Sequence, residues 1–275
     1  VIDNKKTRAF LKWAGGKYAI LDRILPNLPA ADWLVEPFFG AGSVALNSAY
    51  SNFVLNDINH DLINLYKIVQ RDPHGFIDAS RAYFSIDSNQ RDFYFDTRAQ
   101  FNQTTDKRLR AVMFLYMNRH GYNGLCRYNS SGKFNVPFGR YVKPKFPENE
   151  IIEFAEKFKS AKFSNNSFEK TMRNAPNGSV IYCDPPYHPL TATASFTQYS
   201  ANSFGQAEQK ALAKLASQVA RDKRCTVVIS NHDTLYTREL YKEAALVSFP
   251  VKRYISQNAN TRLPVQELIA VFTHN

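Results

Sequence analysis

Three short runs in this chain are apolar with almost no alternation: Trp33-Leu34-Val35-Glu36, Ser179-Val180-Ile181-Tyr182 and Thr226-Val227-Val228-Ile229. A strand with one face in water alternates apolar and polar side chains. A strand buried on both faces does not, and helices packed on a sheet supply that burial. Residues 206–219, between the last two runs, repeat apolar positions at helical spacing. Residues 18–25 and 41–49 read as helices, and Phe53-Val54-Leu55 as a second strand after the first run. Two more strands are expected at 246–251 and 268–272. The pattern is that of an α/β sheet. The middle of the chain departs from it. Helical periodicity covers 61–69, 76–84, 93–101 and 109–118, and a Gly/Asn/Tyr-rich stretch follows over 119–141. Turn chemistry at Asn129-Ser130-Ser131-Gly132 predicts a hairpin there. The expected organisation is an α/β domain formed by 1–58 and 146–275, interrupted over 59–145 by a mostly helical insertion that carries a hairpin.

Composition narrows the class. The chain has 275 residues, 44% of them hydrophobic, enough for a core without disulfide or metal staples. Eleven Gly and thirteen Pro exclude collagen-like and low-complexity chains. No apolar run approaches the ~18 residues of a membrane span, so no membrane partner is expected. Lys and Arg number 35 against 24 Asp and Glu, a net charge of +11. Such a surplus concentrates polyanions at the surface, and nucleic acid is the leading partner. Cys126, Cys183 and Cys225 lie far apart and show no zinc spacing. No metal site is expected, and free thiols fit a reducing, cytoplasmic setting.

Four clusters could carry chemistry. Asp184-Pro185-Pro186-Tyr187 follows a predicted strand directly, at the edge where open α/β sheets bind ligands. Two prolines stiffen the backbone and remove two N–H donors. The acceptors that remain, the Asp184 carboxylate and the Pro185 carbonyl, suit an amino group on a planar ring, and Tyr187 offers a face for that ring. This chemistry serves any exocyclic amine of that kind, adenine N6 and cytosine N4 alike. Glu36-Pro37-Phe38-Phe39-Gly40-Ala41-Gly42-Ser43 runs from a strand into a helix, and its glycines let a ligand approach the backbone. It lacks the full G-x-G-x-x-G fingerprint. Asp57, just after the second strand, is placed to hold ribose hydroxyls. Lys12-Trp13-Ala14-Gly15-Gly16-Lys17 joins an aromatic wall to two cations. The segment Asn118-Arg119-His120-Gly121-Tyr122-Asn123-Gly124-Leu125-Cys126-Arg127-Tyr128-Asn129, continuing to Lys133, Pro137, Arg140, Tyr141, Lys143 and Lys145, interleaves aromatics, amides and cations. Cations can meet phosphates, Arg can grip guanine O6 and N7, and an aromatic can wedge into a base stack.

Together with Phe10-Leu11, Phe134-Asn135-Val136-Pro137-Phe138-Gly139-Arg140-Tyr141 and Ile229-Ser230-Asn231-His232-Asp233, these clusters resemble the DNA adenine-N6 methyltransferases of the Dam family. The motifs stand in family order along almost the whole chain; His120 and Phe39 depart from the usual pattern. The resemblance implies a Rossmann-like methyltransferase sheet with S-adenosylmethionine as cofactor. It also implies an inserted target-recognition domain and the adenine of GATC in double-stranded DNA as target. It places cofactor contacts on Trp13, Lys17, Asp57 and Asp184, with Phe38, Gly40 and Gly42 lining the pocket. DNA readers would fall on Lys12, Leu125 and Arg127. Tyr122 and Asn123 would fill the gap left by the flipped adenine, and Pro137 and Tyr141 would make further DNA contacts. Asp184, Pro185 and Tyr187 would carry the transfer, with no metal and with the protein a monomer in solution.

Overall fold

The structure is a computed structural model that describes residues 6–187, 204–251 and 265–274. In chain order it runs α1 (Leu21–Ile24), β1 (Trp33–Glu36), α2 (Ser43–Leu46), β2 (Asn52–Asn56), α3 (His60–Arg71), α4 (Pro73–Arg81), α5 (Arg91–Phe101) and α6 (Lys107–His120). It continues with α7 (Glu148–Lys157), β3 (Lys162–Ser164), α8 (Phe168–Arg173), β4 (Val180–Cys183), α9 (Gln206–Lys223), β5 (Thr226–His232), α10 (Leu235–Leu240), β6 (Ala245–Val251) and β7 (Val265–Phe272). Among the described residues no helix is long and apolar enough to cross a membrane.

The elements fall into two compact units. One holds residues 1–21, 39–49 and 57–165; the other holds 22–38, 50–56 and 166–275. Compactness thus divides the chain at other points than the sequence pattern does.

The second unit holds the parallel ladder. β1 pairs β2 and β4, and β4 pairs β5, all parallel, with Val35 opposite Ile181 and Cys183 opposite Ile229. β7 then runs antiparallel to β5, and β6 antiparallel to β7, closing that side of a Rossmann-like sheet. All four residues of β4 are buried, as the unbroken apolar run requires. Val35, Ile181, Val227 and Ile229 pack against Leu212, Ala216 and Val219 of α9 and Phe168 and Met172 of α8. In this register the end of β4 at Cys183 lies opposite Ile229, and β5 continues past it to His232. Asp184 therefore leaves the sheet alongside the Ser230–His232 end of β5.

The first unit is helical. α6 buries residues all round, from Ala111 through Asn118, and so makes its central helix. Asp106 caps its start, accepting from the Arg108 and Leu109 amides. Phe10, Phe39, Tyr66, Phe154, Phe158 and Phe163 form an aromatic core, with Tyr66 and Phe154 stacked at 4.8 Å. The expected hairpin is present: Tyr128 bridges Phe134 in antiparallel fashion. The Asn129 side chain closes its turn, accepting from the Ser131 and Lys133 amides.

Several boundaries differ from expectation. The helix expected over 41–49 shrinks to Ser43–Leu46, because Gly40 and Gly42 both adopt positive φ and Asn47 ends it. The helix expected over 76–84 begins earlier, at Pro73, where the Asp72 side chain caps the Gly75 amide.

Candidate functional site

The glycine loop of the first unit is pinned at both polar atoms of Gly40. Its N–H donates to Asp57 Oδ2 at 2.9 Å, and its carbonyl accepts from the Tyr66 hydroxyl at 2.7 Å. A Cβ on Gly40 would stand 2.9 Å from Trp13 Nε1, so the indole lies directly over bare backbone. Gly42 has φ +73°, and a Cβ there would meet the Phe39 ring at 2.3 Å. Phe39 is itself wedged among Tyr66, Phe158 and Phe163. Only glycine fits at either position. The other Asp57 oxygen accepts from the Asn59 amide at 2.8 Å. Burial pushes the Asp57 carboxyl up, against the pull of those two N–H groups. Each oxygen keeps a lone pair beyond the one it has engaged. Asn59 also caps α3, accepting from the Leu62 amide, so the acidic loop is part of a helix start. The Trp13–Lys17 segment turns on a bond from the Gly16 amide to the Trp13 carbonyl. Lys17 Nζ donates to the Gly15 carbonyl at 2.7 Å and is buried. Trp13, Gly40, Gly42 and Asp57 are thus brought together.

The DNA-reader candidates of the first unit also converge. The Asn118 amide side chain pairs with the Lys12 backbone twice, at 2.9 and 2.7 Å, across 106 residues of sequence. A Cβ on Gly124 would stand 2.3 Å from Lys12 Cβ, which seals this junction. Lys12 Nζ lies 3.7 Å over the Tyr141 ring and donates to the Arg119 carbonyl. Burial and the neighbouring Arg119 charge hold the Lys12 ammonium below its ordinary range. Tyr122 is exposed, and Asn123 beside it adopts φ +51°. The Tyr122 amide donates to the Pro137 carbonyl at 2.9 Å, so these two candidates share one bridge. Leu125 is half-buried, whereas Arg127 and Pro137 are exposed. Arg127 Nε donates to Asn135 Oδ1 at 2.8 Å and its Nη2 to the Asn135 carbonyl at 3.3 Å, so the exposed guanidinium is braced across the hairpin. Behind it, the Tyr128 hydroxyl donates to Asp61, and Arg110 grips the same carboxylate with two bonds of 2.9 Å. His120 is buried, and its imidazole is pushed down to about 4 by that burial. It is a neutral packing group.

In the second unit β4 runs straight into Asp184-Pro185-Pro186-Tyr187. Pro185 is buried and Pro186 exposed, while Asp184 and Tyr187 are half-buried. The Tyr187 hydroxyl donates to Glu267 Oε2 at 3.2 Å, and its ring meets the His232 ring edge-on at 4.8 Å. Burial, then the Asp184 and Glu267 charges, push the Tyr187 phenol well above its ordinary value, so it stays neutral. The Pro186 carbonyl accepts from Gln209 Nε2 at 2.8 Å. Phe38, a pocket candidate, packs against Phe168 and Phe204 in this unit's own core and keeps part of its ring exposed.

The end of a central parallel strand thus carries a proline corner with oxygen acceptors and an aromatic held beside it. The model of the D12 class N6 adenine-specific DNA methyltransferases matches residues 13–255 of this chain. The chain belongs to this family. It is 53% identical over 268 residues to the DNA adenine methylase of Serratia marcescens, covering 98% of this chain and 99% of that one. To the DNA adenine methylase of Escherichia coli K12 it is 52% identical, covering 98% and 96%. To that of Vibrio cholerae serotype O1 it is 51% identical over 269 residues, covering 98% and 97%. The chain is an adenine-specific DNA methyltransferase, and the reading of the sequence as one is confirmed at that level. Sequence reasoning passed over two members of the site, Gln209 and Glu267. Gln209 is 1% exposed at the head of the apolar stripe of α9. A polar residue in that stripe was the signal available.

Proposed function

We propose that this methyltransferase moves the methyl group of S-adenosylmethionine to N6 of the adenine in GATC of double-stranded DNA, once that base has turned out of the helix. The observation that carries the proposal is the Asp184–Tyr187 corner, whose aromatic is tied at its hydroxyl to Glu267. Extrusion of a base costs a few kcal/mol of unstacking. The base then needs a pocket that recovers that cost by stacking and hydrogen bonding.

The residues of the first unit suit the donor. Bare backbone at Gly40 under the Trp13 indole admits a flat or extended group, and the spare lone pairs of Asp57 suit vicinal hydroxyls. Gly42 and Lys17 complete the set proposed in this unit, and Phe38 and Asp184 are the cofactor contacts proposed in the second unit. When bound, S-adenosylmethionine supplies a methyl group made electrophilic by its sulfonium sulfur.

The remaining chemistry belongs to the chain. Adenine N6 is a poor nucleophile because its lone pair is delocalised into the ring. The Asp184 carboxylate and the Pro185 carbonyl accept its two hydrogens, and two such acceptors suit a tetrahedral nitrogen better than a planar one. They therefore bind the developing transition state more tightly than the ground state. Asp184 also stabilises the positive charge that grows on N6. It need not remove a proton beforehand, because the amine is far too weak an acid; the extra proton on the methylated, now cationic N6 is lost to solvent after transfer. Tyr187 stacks on the purine, neutral throughout.

Sequence choice is assigned to the hairpin face. Arg127, exposed on the hairpin, reads a guanine, Lys12 and Tyr141 work as a pair, and Leu125 and Pro137 make apolar contacts with base edges. Tyr122 and Asn123 occupy the space the adenine leaves. One copy of the chain carries all these residues, so a monomer suffices.

Digestion of plasmid from expressing cells with nucleases that differ in sensitivity to GATC methylation tests the target, together with nucleoside analysis. Protection at GATC with N6-methyladenine is expected. Methylation confined to other sequences overturns the target assignment.

A further inference from the structure

The proline corner has a structural weakness. Pro185 and Pro186 carry no N–H, so backbone hydrogen bonds can hold this stretch only through its carbonyls. The Pro186 carbonyl fixes the peptide plane that leads into Tyr187, and therefore the direction in which the Tyr187 ring leaves the chain. That carbonyl is held by a side chain 23 residues away in sequence. Gln209 donates to it from Nε2 at 2.8 Å.

Gln209 is an unexpected residue in its place. It is buried on α9 in line with Leu212, Ala213, Ala216 and Val219, where an apolar side chain would pack more cheaply. Its burial is tolerated because both ends of its carboxamide are engaged. Oε1 accepts from Asn231 Nδ2 at 3.1 Å and from the Tyr241 hydroxyl at 3.3 Å. Asn231 in turn donates to the Tyr241 oxygen at 3.0 Å, and its own Oδ1 accepts from the His232 amide at 2.9 Å. The orientation of the Gln209 amide follows from this network. With Oε1 facing two donors, Nε2 must face the Pro186 carbonyl. The network thus ties the end of β5 to the corner at the end of β4. His232, whose amide closes it, also presents its ring to Tyr187. Tyr187 is then held at two places: through the peptide before it by Gln209, and at its hydroxyl by Glu267.

We infer that Gln209 is a positioning residue for methyl transfer, its buried carboxamide setting the angle at which the Pro185 carbonyl and the Tyr187 ring meet the flipped adenine. The inference rests on the reading of Asp184–Tyr187 as the amine-receiving corner. Gln209 does not touch substrate. It acts through the Pro186 carbonyl, and the expected loss lies in the chemical step and leaves association with DNA unchanged.

Two near-isosteric variants test this. Gln209→Met removes both the donor and the acceptor, and Gln209→Glu removes the donor to Pro186. Single-turnover methylation of a GATC duplex is measured beside duplex affinity. The fluorescence of a duplex with 2-aminopurine in place of the target adenine reports stacking of the extruded base. For both variants the methylation rate should fall about 10- to 100-fold, the loss produced by ångström-scale misplacement of reacting groups. Duplex affinity should stay within about twofold, and the bound 2-aminopurine should be brighter than with the unaltered enzyme because it no longer lies flat on Tyr187. A Gln209→Met enzyme with unchanged rate and unchanged 2-aminopurine signal overturns the inference. So does a rate loss matched by an equal loss of duplex binding. Asp184→Asn, run in parallel, separates the two readings. If it transfers methyl normally, the corner reading fails; if it is inactive while Gln209→Met is normal, only the role of Gln209 fails.

Discussion

Replacing Gly42 with alanine tests whether the glycine loop rests on a rigid bed. At φ +73° a non-glycine residue costs about 1–2 kcal/mol. The new methyl would also lie 2.3 and 2.5 Å from two atoms of the Phe39 ring. Phe39 has little room to yield. Tyr66 stands 5.3 Å away between ring centroids, Phe158 5.7 Å and Phe163 6.0 Å. Overpacking of this kind adds about 1–3 kcal/mol. The total is about 2–5 kcal/mol, a large share of the stability of an ordinary domain. Gly132→Ala provides an internal control in the same unit. Gly132 has φ +71° with nothing within 4 Å of its Cβ position, so that change carries only the backbone cost. Denaturant titration followed by circular dichroism should place Gly42→Ala below Gly132→Ala by about 1–3 kcal/mol. S-adenosylmethionine should also bind Gly42→Ala more weakly. Equal stabilities for the two variants would show that Phe39 moves aside, and the argument for a rigid loop would fail.

Other expectations follow from the same geometry. Arg127→Ala should relax sequence choice, losing about 1–3 kcal/mol of preference for GATC over a variant site, read from competitive methylation of the two duplexes. Lys17→Ala should weaken S-adenosylmethionine binding in calorimetry and leave duplex affinity unchanged; the opposite pattern would assign Lys17 to DNA. The Asp233 carboxyl is held below its ordinary range chiefly by Arg238, with two bonds of 2.6 and 2.7 Å. A folded-state pKa below the unfolded one means that this pair stabilises the fold above the unfolded pKa, and that the benefit is lost as pH falls through the folded one. Arg238 is half exposed, so Asp233→Asn should cost no more than about 1 kcal/mol at pH 7. Melting curves of the two proteins should converge as pH falls below the folded-state pKa of Asp233.

Much of this molecule is readable from residue pattern because its central strands β1, β4 and β5 are short, buried on both faces and sharply ended. β1 and β5 start where the apolar runs do, and the hairpin turn forms where Asn129 and Gly132 place it. The family motifs brought out the whole corner and the glycine loop. The legible part stops where long-range pairing decides. α8 and α10 have six residues each, too few to show a helical period, and each depends on a side-chain cap from Ser167 or Thr234. β3 has three residues. α7 was the more readable omission, since Glu148 and Glu150 load its first turn with acidic charge after Pro147. In the site, Asp57 was expected as a ligand contact. What the structure shows is its bond from the Gly40 amide, a link that no local pattern reveals. The partners of Gln209 and Glu267 were out of reach for the same reason: the stripe flags Gln209 as an odd polar residue, but each acts on a residue that is its neighbour only once the chain has folded.

The central claim is that Asp184 accepts a hydrogen from the amine that takes the methyl group. Asp184→Asn keeps the size of the side chain and turns part of that acceptor into a donor, so it tests the claim directly. Single-turnover transfer of radiolabelled methyl to a GATC duplex should fall at least about 100-fold, while the variant still folds and binds the duplex. A rate within about tenfold of the unaltered enzyme, a change of only ~1.4 kcal/mol in the barrier, would contradict it.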